Sequence, residues 1–436
     1  MKTICITLLG VFLYLPGWLQ AALTIEITQG VEGAVPIAVV PFDTASNRNP
    51  PPQDVAGIIA ADLARSGRFA PVPEQNLIAE PVETSQVRFQ DWRTLGVENL
   101  VIGKVETVAD NEYRIQFRLL DVLRGRQITG YSMPAKSGQL RYVAHRISDI
   151  IYEKLTGEPG AFATHIAYVI SESKNGKKEY QLQLADSDGY NPKTLLTSPQ
   201  PLMSPSWSPD GRQLAYVSFE KKGRAAIFVQ AIHTGKRQEI VSFAGINGAP
   251  SWSPDGRSMA VTLSRDGNPE IYSLRLSDKK LKRLTSGAAI DTEPVWSPDG
   301  GSIVFTSDRG GSPQLYRMPA QGGRAQRITF EGNYNASADF SADGKSLALV
   351  HGQGGRYQIA VLDLDSGLLR VLTDGRLDES PSFAPNGSMI IYATETGYSG
   401  VLAAVSSDGR FRQQFSLSEG NVREPVWSPL VDRKSK

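Results

Sequence analysis

Cysteine is almost absent from this chain, whose 436 residues contain only Cys5. That residue lies in an amino-terminal segment that we expect to be removed, and it lacks the small-residue context of a lipoprotein acceptor. The mature chain would then contain no cysteine, which excludes a disulfide framework and thiol chemistry. Such a chain can function in an oxidising compartment without pairing errors.

Histidine and excess charge are also scarce. The 46 basic residues nearly cancel the 45 acidic ones, so no basic field favours nucleic acid as a partner. His145 falls on a predicted helix, where we expect a surface or satisfied residue. No Walker-type phosphate loop occurs, and no cofactor is predicted. No zinc site is predicted either, because no two of the four histidines have metal-ligand spacing: His145, His165, His233 and His351.

Long apolar runs are missing except at the start of the chain. A basic start, an apolar run over residues 4–19 and the small residue Ala21 predict a cleaved signal peptide at 1–21 and export to the periplasm. The alternative is a membrane anchor, which Pro16 and Gly17 disfavour because they interrupt the run. The mature protein is therefore not expected to span a membrane.

The most prominent feature of the chain is a repeated phrase, W-S-P-D-G. It occurs at 207–211, 252–256 and 296–300, and weaker copies follow at 340–344, 383–387 and 427–429. Successive copies begin 43 to 45 residues apart. Repeats of this length indicate a solenoid or a propeller. Because each interval contains short β-rich runs and no helical period, we predict blades of four antiparallel strands.

The ends of the repeat region predict how the ring closes. Three strand-like runs, beginning at His165, Tyr180 and Lys193, precede the first copy, whereas no blade follows the last copy at Trp427. We therefore predict a six-bladed β-propeller in which the C-terminal strand completes the first blade, so that no sheet edge stays open at the seam. The aromatic residue of each phrase is predicted to pack between neighbouring sheets, and its Asp-Gly to form a turn.

A small α/β domain is predicted before the propeller, at 22–157. Strands are expected at 36–42, 100–108, 113–122 and 127–133, with amphipathic helices at 53–65 and 139–155. A linker at 158–160, the propeller at 161–431 and a polar tail at 432–436 complete the chain. The alternating residues 23–28 predict either an ordinary edge strand or a segment that a partner can take up.

Polar segments precede each copy of the phrase, and we predict that they form loops at one mouth of the propeller channel. Their acids, amides and single methionine are typical of a recognition surface. The alternative is that the acids only solvate the rim and fix turns. The segments are 201–205, 246–250, 291–294, 333–338, 378–381 and 421–425.

Several of these segments together resemble the TolB family, the periplasmic component of the Tol-Pal envelope system of Gram-negative bacteria. Besides the signal segment, they are V-P-I-A-V-V-P-F at 35–42, I-I-A-A-D-L-A-R-S-G-R-F at 58–69, E-K-L-T-G at 153–157 and S-P-Q-P-L-M-S-P at 198–205. The resemblance implies a non-enzymatic adaptor that maintains outer-membrane integrity and acts in cell division. Its partners would be the lipoprotein Pal, the inner-membrane protein TolA and other outer-membrane proteins.

The resemblance also implies two binding regions. In the family a histidine precedes the Asn-Gly-Ala-Pro segment, whereas this chain has Ile246, so a Pal with compensating residues is expected. The implied Pal site at the mouth comprises Met203, Asn247, Ala249, Thr292 and Glu293. The implied TolA segment runs over 22–33 and includes Ala22, Leu23, Thr24, Ile25, Glu26, Ile27 and Thr28.

Two other classes of function stay open at this point. A propeller hydrolase would need a convergent acid and base, and its candidates are Asp291, Glu293, Glu379 and Glu424. A purely structural scaffold would need no binding residues at the mouth.

Overall fold

The computed structural model describes residues 23–45, 50–174, 176–221, 223–397, 399–416 and 420–430. The predicted signal peptide, Ala22 and the predicted polar tail lie outside the described residues. Within the described ranges, no helix has both the length and the apolar character needed to cross a lipid bilayer.

The amino-terminal part forms the predicted α/β domain, preceded by a separate strand. A five-stranded sheet has the order β3-β2-β4-β5-β6, with β2 parallel to both neighbours and the other pairs antiparallel. Helices α1 and α3 pack on one face of this sheet and α2 on the other. The elements are β1 (Thr24–Gln29), β2 (Val35–Val39), α1 (Val55–Arg65), β3 (Phe69–Pro71), α2 (Phe89–Thr94), β4 (Asn99–Ala109), β5 (Glu112–Asp121), β6 (Arg126–Lys136) and α3 (Leu140–Thr156).

Local sequence signals explain the ends of the two long helices. The Asp54 side chain accepts a hydrogen bond of 3.0 Å from the backbone N–H of Gly57, which caps α1. Gly157 ends α3 with a φ of 80°, a left-handed conformation that glycine adopts at low cost. Both predicted helices and all four predicted strands of the domain are present. Strand β3 and helix α2 were not predicted, because they are short elements without a clear hydrophobic period.

The remaining strands form the predicted six-bladed propeller. Each blade is an antiparallel sheet, and the innermost strand leads into the phrase. In chain order the strands are β7 (His165–Lys174), β8 (Lys177–Asp186), β9 (Lys193–Ser198), β10 (Leu202–Trp207), β11 (Gln213–Lys221), β12 (Arg224–Ala231), β13 (Arg237–Val241), β14 (Asn247–Trp252), β15 (Ser258–Leu263), β16 (Glu270–Arg275), β17 (Leu281–Arg283), β18 (Asp291–Trp296), β19 (Ser302–Ser307), β20 (Gln314–Pro319), β21 (Gln326–Arg327), β22 (Tyr334–Phe340), β23 (Ser346–Gln353), β24 (Arg356–Asp363), β25 (Leu369–Val371), β26 (Glu379–Phe383), β27 (Met389–Thr396), β28 (Ser399–Ser406), β29 (Arg412–Ser416) and β30 (Asn421–Trp427).

The predicted closure of the ring is confirmed. Strand β30 pairs antiparallel with β7, so blade 1 has the order β30-β7-β8-β9. Ser428 extends the join, because its backbone N–H donates to the carbonyl of His165 at 2.8 Å and its hydroxyl accepts from the His165 N–H at 3.0 Å. The last strand of the chain is therefore the innermost strand of the first blade.

The repeated phrase builds the contacts between blades. The Trp207 indole donates to the Val426 carbonyl at 3.3 Å, and the Trp252 indole donates to the Ser206 carbonyl at 3.1 Å, in each case from one blade to the preceding one. In the turn of the first phrase, the Ser208 hydroxyl bonds to the Asp210 carboxylate at 2.6 Å. The predicted packing and turn roles of the phrase are thus present.

Strand β1 lies outside the α/β sheet and is the fifth strand of blade 6. It pairs antiparallel with β29, so that Ile25 faces Phe415 and Ile27 faces Gln413. Burial decreases along the strand: Leu23, just before it, is 5% exposed, whereas Ile27 is 46% exposed. The segment is therefore held most firmly at its amino-terminal end.

The segment between the two domains is packed against α3. The Asp149 carboxylate accepts a hydrogen bond of 2.8 Å from the Phe162 N–H. The Phe162 ring packs edge to face on Tyr152, with 5.7 Å between ring centroids. Phe162, which the sequence analysis assigned to the propeller, thus contributes to the core of the α/β domain.

Replacing Trp427 by Ala should destabilise the propeller by about 3–5 kcal/mol, the usual cost of truncating a large buried aromatic residue. Trp427 is buried, and its indole donates to the Thr164 hydroxyl at 2.8 Å across the closing seam. Urea unfolding followed by tryptophan fluorescence measures the change. Leu430→Ala, at a more exposed position after the same strand, is the matched control and should leave the midpoint within error. Equal midpoints for Trp427→Ala and the control would contradict this role.

Candidate functional site

All six innermost strands share one irregularity near the mouth of the channel. Each contains a bulge in its pairing with the next strand, for example between Met203 and Ser206 in β10. The predicted mouth segments are thus largely parts of strands rather than loops, which corrects the sequence analysis. One residue of each bulge has a left-handed backbone, with φ between 45° and 53°: Ser204, Ala249, Glu293, Ser337, Ser380 and Glu424.

Proline accompanies five of the six bulges and explains the error. In five of the six strands the left-handed residue precedes a proline, as in Ser204-Pro205. Proline cannot donate a hydrogen bond to the ladder, so inside a sheet it is confined to edges and bulges. A polar, proline-containing segment has the composition of a loop, although here it belongs to the innermost strand of a blade, which lies at one edge of that blade's sheet.

The bulge residues form a ring at the mouth, in which a glutamate followed by a serine occurs twice, three blades apart. In spatial order from blade 1 the residues are Glu424, Ser204, Ala249, Glu293, Ser337 and Ser380. The Glu424 carboxylate accepts a hydrogen bond from the N–H of Ser204 in the next blade. Glu293 accepts likewise from the N–H of Ser337 in the next blade, at 3.0 Å. The two glutamates therefore join adjacent blades on opposite sides of the ring.

The ring surrounds a central cavity of about 560 Å³ that is rich in acidic groups. Burial raises the pKa of Glu424 to about 7; the Ser204 N–H opposes this shift, while the charges of Glu379 and Glu293 reinforce it. Burial also raises the pKa of Tyr334 to about 12, so its phenol is neutral at physiological pH. The Tyr334 ring packs edge to face against Tyr357, with 5.1 Å between centroids.

Apolar side chains lie exposed at the mouth on blades 2 to 5. They come from β10 or from the turns that lead into the next three innermost strands, and the most exposed, Phe330, has 74% of its surface accessible. Met203 also lines the cavity, and large apolar side chains exposed at the same end of the propeller are typical of a protein-binding surface. We call this group the apolar rim: Met203, Ile246, Ile290 and Phe330.

The predicted Pal-site residues fall into two groups. Met203, Ala249 and Glu293 line the cavity. Asn247 is only 1% exposed, and its side chain is fully engaged: it accepts from the Phe243 N–H at 2.9 Å and donates to the carbonyls of Ala225 and Phe243. In this structure Asn247 therefore positions the turn that carries Ile246.

Thr292 is half-buried on β18 beside the bulge. Its hydroxyl lies 3.4 Å from the Thr262 hydroxyl, and it is not among the residues that line the cavity. Ile246, which occupies the place of the family's histidine, is exposed on the apolar rim.

Two of the four acids considered for hydrolysis are bonded to neighbouring side chains. Asp291 is buried and paired with Arg309 at 2.7 Å. Glu293 accepts three hydrogen bonds, from the N–H and hydroxyl of Ser337 and from the hydroxyl of Thr306 at 2.9 Å. Among these acids, Glu379 and Glu424 are the pair that faces the cavity with the fewest bonds.

Residues outside the sequence-based site also belong to the mouth. Ile290 lies three residues before the left-handed Glu293, and Phe330 lies seven residues before the left-handed Ser337, so nothing in their spacing marks them as exposed. Tyr334 and Tyr357 come from different strands of one blade and meet only in the folded sheet. An aromatic residue in a predicted turn, as at Phe330, is the one sequence signal that could have identified these additional mouth residues.

The predicted TolA segment is docked rather than free. Leu23 and Ile25 pack into the core between blades 1 and 6, while Glu26 and Thr28 are exposed. The Leu23 side chain lies so close to Gly189 that a β-carbon there would approach it within 2.5 Å. Ala22 lies outside the described residues, so the described part of this segment begins at Leu23.

Comparison with known proteins gives a consistent result. Residues 23–128 match the family model described as the TolB amino-terminal domain, and residues 152–431 match the TolB beta propeller domain. The Tol-Pal system protein TolB of Nitrosococcus oceani is 59% identical over 94% of this chain and 94% of its own, and that of Thioalkalivibrio sulfidiphilus is 57% identical over 98% of both. The crystal structure of TolB from Acinetobacter baumannii, 44% identical, covers 93% of this chain and 100% of its own with a TM-score of 0.87.

Replacing Glu424 by Gln should remove a pH dependence of stability. The native carboxyl keeps its proton up to about pH 7, whereas an unfolded one releases it near 4.5. Between these values the native state binds more protons, so wild-type stability falls as pH rises, and most of that loss is complete above about pH 7. Glutamine mimics the protonated group and should not follow this fall. The thermal midpoint of Glu424→Gln should therefore rise relative to that of the wild type as the pH is raised from about 5 to about 8.

Glu331→Gln, at an exposed position, is the matched control and should follow the wild type at each pH. A constant difference between Glu424→Gln and wild type across this pH range would show that Glu424 does not carry the dependence.

Proposed function

This chain belongs to the TolB family of Tol-Pal system proteins, and from that premise we propose that it is a periplasmic adaptor that binds Pal at the propeller mouth and TolA through its N-terminal segment. The observation that carries the proposal is the mouth itself, which combines an open cavity with the exposed apolar rim. Large exposed apolar side chains of this kind favour a protein partner over a small polar ligand.

The mouth has two chemically different sides, which defines what Pal would present to it. The apolar rim would be buried by apolar side chains of the partner and would supply most of the affinity. The acidic side, with Glu379 and Glu424, would select a cationic group and orient it. Arg423 lies 3.7 Å from Glu379 at the edge of the mouth, so a partner cation would compete with it.

The N-terminal segment would bind TolA as a strand. It is already a β-strand added to the edge of a blade, and an extended segment of this kind can pair with the edge of another sheet through its backbone groups. Release from β29 would expose Leu23 and Ile25, which the docked state buries. Docked and free states would therefore differ in the apolar surface offered to TolA.

Export by cleavage of residues 1–21 would place the adaptor between the two membranes. There it would help to maintain outer-membrane integrity and act in cell division, with Pal and other outer-membrane proteins on one side and TolA on the other. The proposed domain limits are 22–157 and 161–431, joined by 158–160. No catalytic residue and no cofactor are assigned.

Ile246→Glu should weaken Pal binding roughly tenfold or more, because it places a charge on an apolar surface that the partner would bury. Titration of purified mature protein with soluble Pal from the same bacterium, by calorimetry, measures the dissociation constant. Leu368→Glu is the matched control, since Leu368 is exposed in the turn between β24 and β25, at the end of the blade opposite to the mouth. Loss of affinity with both variants, or with neither, would contradict a Pal site at the rim.

Deleting residues 22–33 should abolish TolA binding and leave Pal binding measurable. The deletion removes β1 while it keeps all four repeat strands of blade 6 and every strand of the mouth. Binding of the deleted and complete mature proteins to the soluble part of TolA and to Pal provides the comparison. TolA binding that survives the deletion would show that the segment is assigned wrongly.

A further inference from the structure

A group of charged side chains, three of them buried and three partly buried, lies between the α/β domain and blade 1 of the propeller. It joins α1 and α3 to the turn that follows β8, and its members come from both domains. We call it the interdomain cluster: Asp62, Arg65, Arg141, His145, Asp186 and Asp188.

Two arginines of the α/β domain contact the propeller. Arg65 forms a buried ion pair with Asp62 at 3.0 Å and also donates to the Ser187 hydroxyl at 3.0 Å. Arg141 pairs with Asp188, and its Nε lies 3.7 Å from an Asp186 oxygen. The Arg141 guanidinium also stacks on the Tyr190 ring, 3.9 Å from its centroid. These contacts make the turn after β8 the main charged attachment point.

His145 lies at the centre of the cluster and is 2% exposed. Its Nδ1 is 2.7 Å from an Asp62 oxygen, and its Nε2 is 3.8 Å from an Asp188 oxygen on the propeller. Nε2 is buried and has no hydrogen-bond partner among the residues that the structure describes. Although burial alone would raise the pKa of Asp62, Arg65 and His145 hold it below its ordinary value, so Asp62 is an ionised acceptor.

The geometry determines where the protons of His145 lie. An ionised Asp62 cannot donate, so Nδ1 must carry a hydrogen. A neutral ring would then direct the lone pair of Nε2 towards the Asp188 carboxylate, whereas a cationic ring would direct an N–H towards it. We propose that His145 is protonated on both ring nitrogens in the assembled protein and acts as a proton-dependent latch between the two domains.

The charges of the cluster favour this assignment. Three carboxylates face two guanidinium groups, which leaves one negative charge uncompensated, and a proton on His145 balances it. A buried uncompensated charge is costly, so the balanced state is preferred. Loss of the proton would again leave one negative charge uncompensated. It would also direct the lone pair of Nε2 at the Asp188 carboxylate, which is repulsive.

Other titratable groups face the cluster and could compete for the proton. Burial raises the pKa of Asp149, on α3, to about 6, although the Phe162 N–H opposes the shift. Burial raises the pKa of Asp186, while His165 opposes that shift, and burial lowers the pKa of His165 on β7. Asp186 is therefore the main competing proton acceptor, and the test must distinguish it from His145.

A metal ion would be a different occupant of the same residues. One ligand atom from each of Asp62, His145 and Asp188 lies within 4.8 Å of the others. The Arg141 guanidinium, however, already contacts Asp188, and Arg65 contacts Asp62, so each carboxylate has a cation beside it. The cluster therefore favours a proton on His145 over a metal ion bound by the same three residues.

The latch would affect the N-terminal strand through chain connectivity. Five residues, 30–34, join β1 on the propeller to β2 in the α/β domain. A fully extended segment of that length spans about 17 Å, so a larger separation of the domains would strain or detach β1. Protonation of His145 would thereby help to keep the N-terminal strand docked.

The direct test is the protonation state of the His145 ring in the unaltered mature protein. With ¹⁵N-labelled histidine, two-dimensional NMR at about pH 6.5 should show two protonated ring nitrogens for His145, identified by the loss of its signals in His145→Gln. A neutral His145 ring at this pH, with the proton retained instead by Asp186, would overturn the proposal.

A second test follows stability against pH. At about pH 6, His145→Gln should melt several degrees below the wild type, because it lacks the third cation, and the difference should shrink as the pH is raised. His233→Gln is the matched control, since His233 is exposed, and it should follow the wild type throughout. A His145→Gln curve parallel to the wild type would overturn the latch.

The metal alternative has its own outcome. Zinc sulfate added to chelator-treated protein should leave the wild-type melting temperature unchanged. A zinc-dependent rise that disappears in both His145→Gln and Asp188→Asn would replace the proton by a metal ion and overturn the proposal.

Discussion

The pairing of β30 with β7 is the interaction on which the rest of the molecule depends. It joins the last strand of the chain to the first blade, which thereby has four strands like the repeats that follow it. The same strand supplies Glu424, whose carboxylate joins blade 1 to Ser204 of blade 2 at the mouth. The same strand, β30, therefore closes the ring and forms part of the binding surface. A substitution that weakens its pairing with β7 would also displace Glu424 at the mouth.

The mouth shows how a repeat fold can carry a surface that is not repetitive. Every innermost strand has the same bulge, so six backbones present the same left-handed position to the channel. The fold fixes where these positions lie, whereas the side chains vary among glutamate, serine and alanine. Two glutamates three blades apart and an apolar rim on blades 2 to 5 make the surface asymmetric. A partner can therefore bind in one orientation on a nearly six-fold frame.

The accuracy of the sequence analysis depended on the range of the interaction. The spacing of the aromatic phrases predicted the blade count and the closure at Trp427, because both follow from counting repeats. The innermost strands were misread near the mouth, since a strand that lies at the edge of its sheet and contains a bulge can include proline and polar residues. The buried state of Asn247 and the charged contacts of His145 were not predictable, because their partners are set by tertiary packing between distant segments.

The docked N-terminal strand follows from the same reasoning about sheet edges. The outermost strands β17, β21 and β25 are only three, two and three residues long, which limits pairing with other chains. The outermost strands β9, β13 and β29 are longer, at six, five and five residues, and of these β29 is the one that β1 covers. Because burial falls from Leu23 to Ile27, this cover is firm at one end and weak at the other, near the connection to the α/β domain. A strand held in this way can leave from the weak end without disturbing the four-stranded blade beneath it, which makes reversible exposure compatible with a stable propeller.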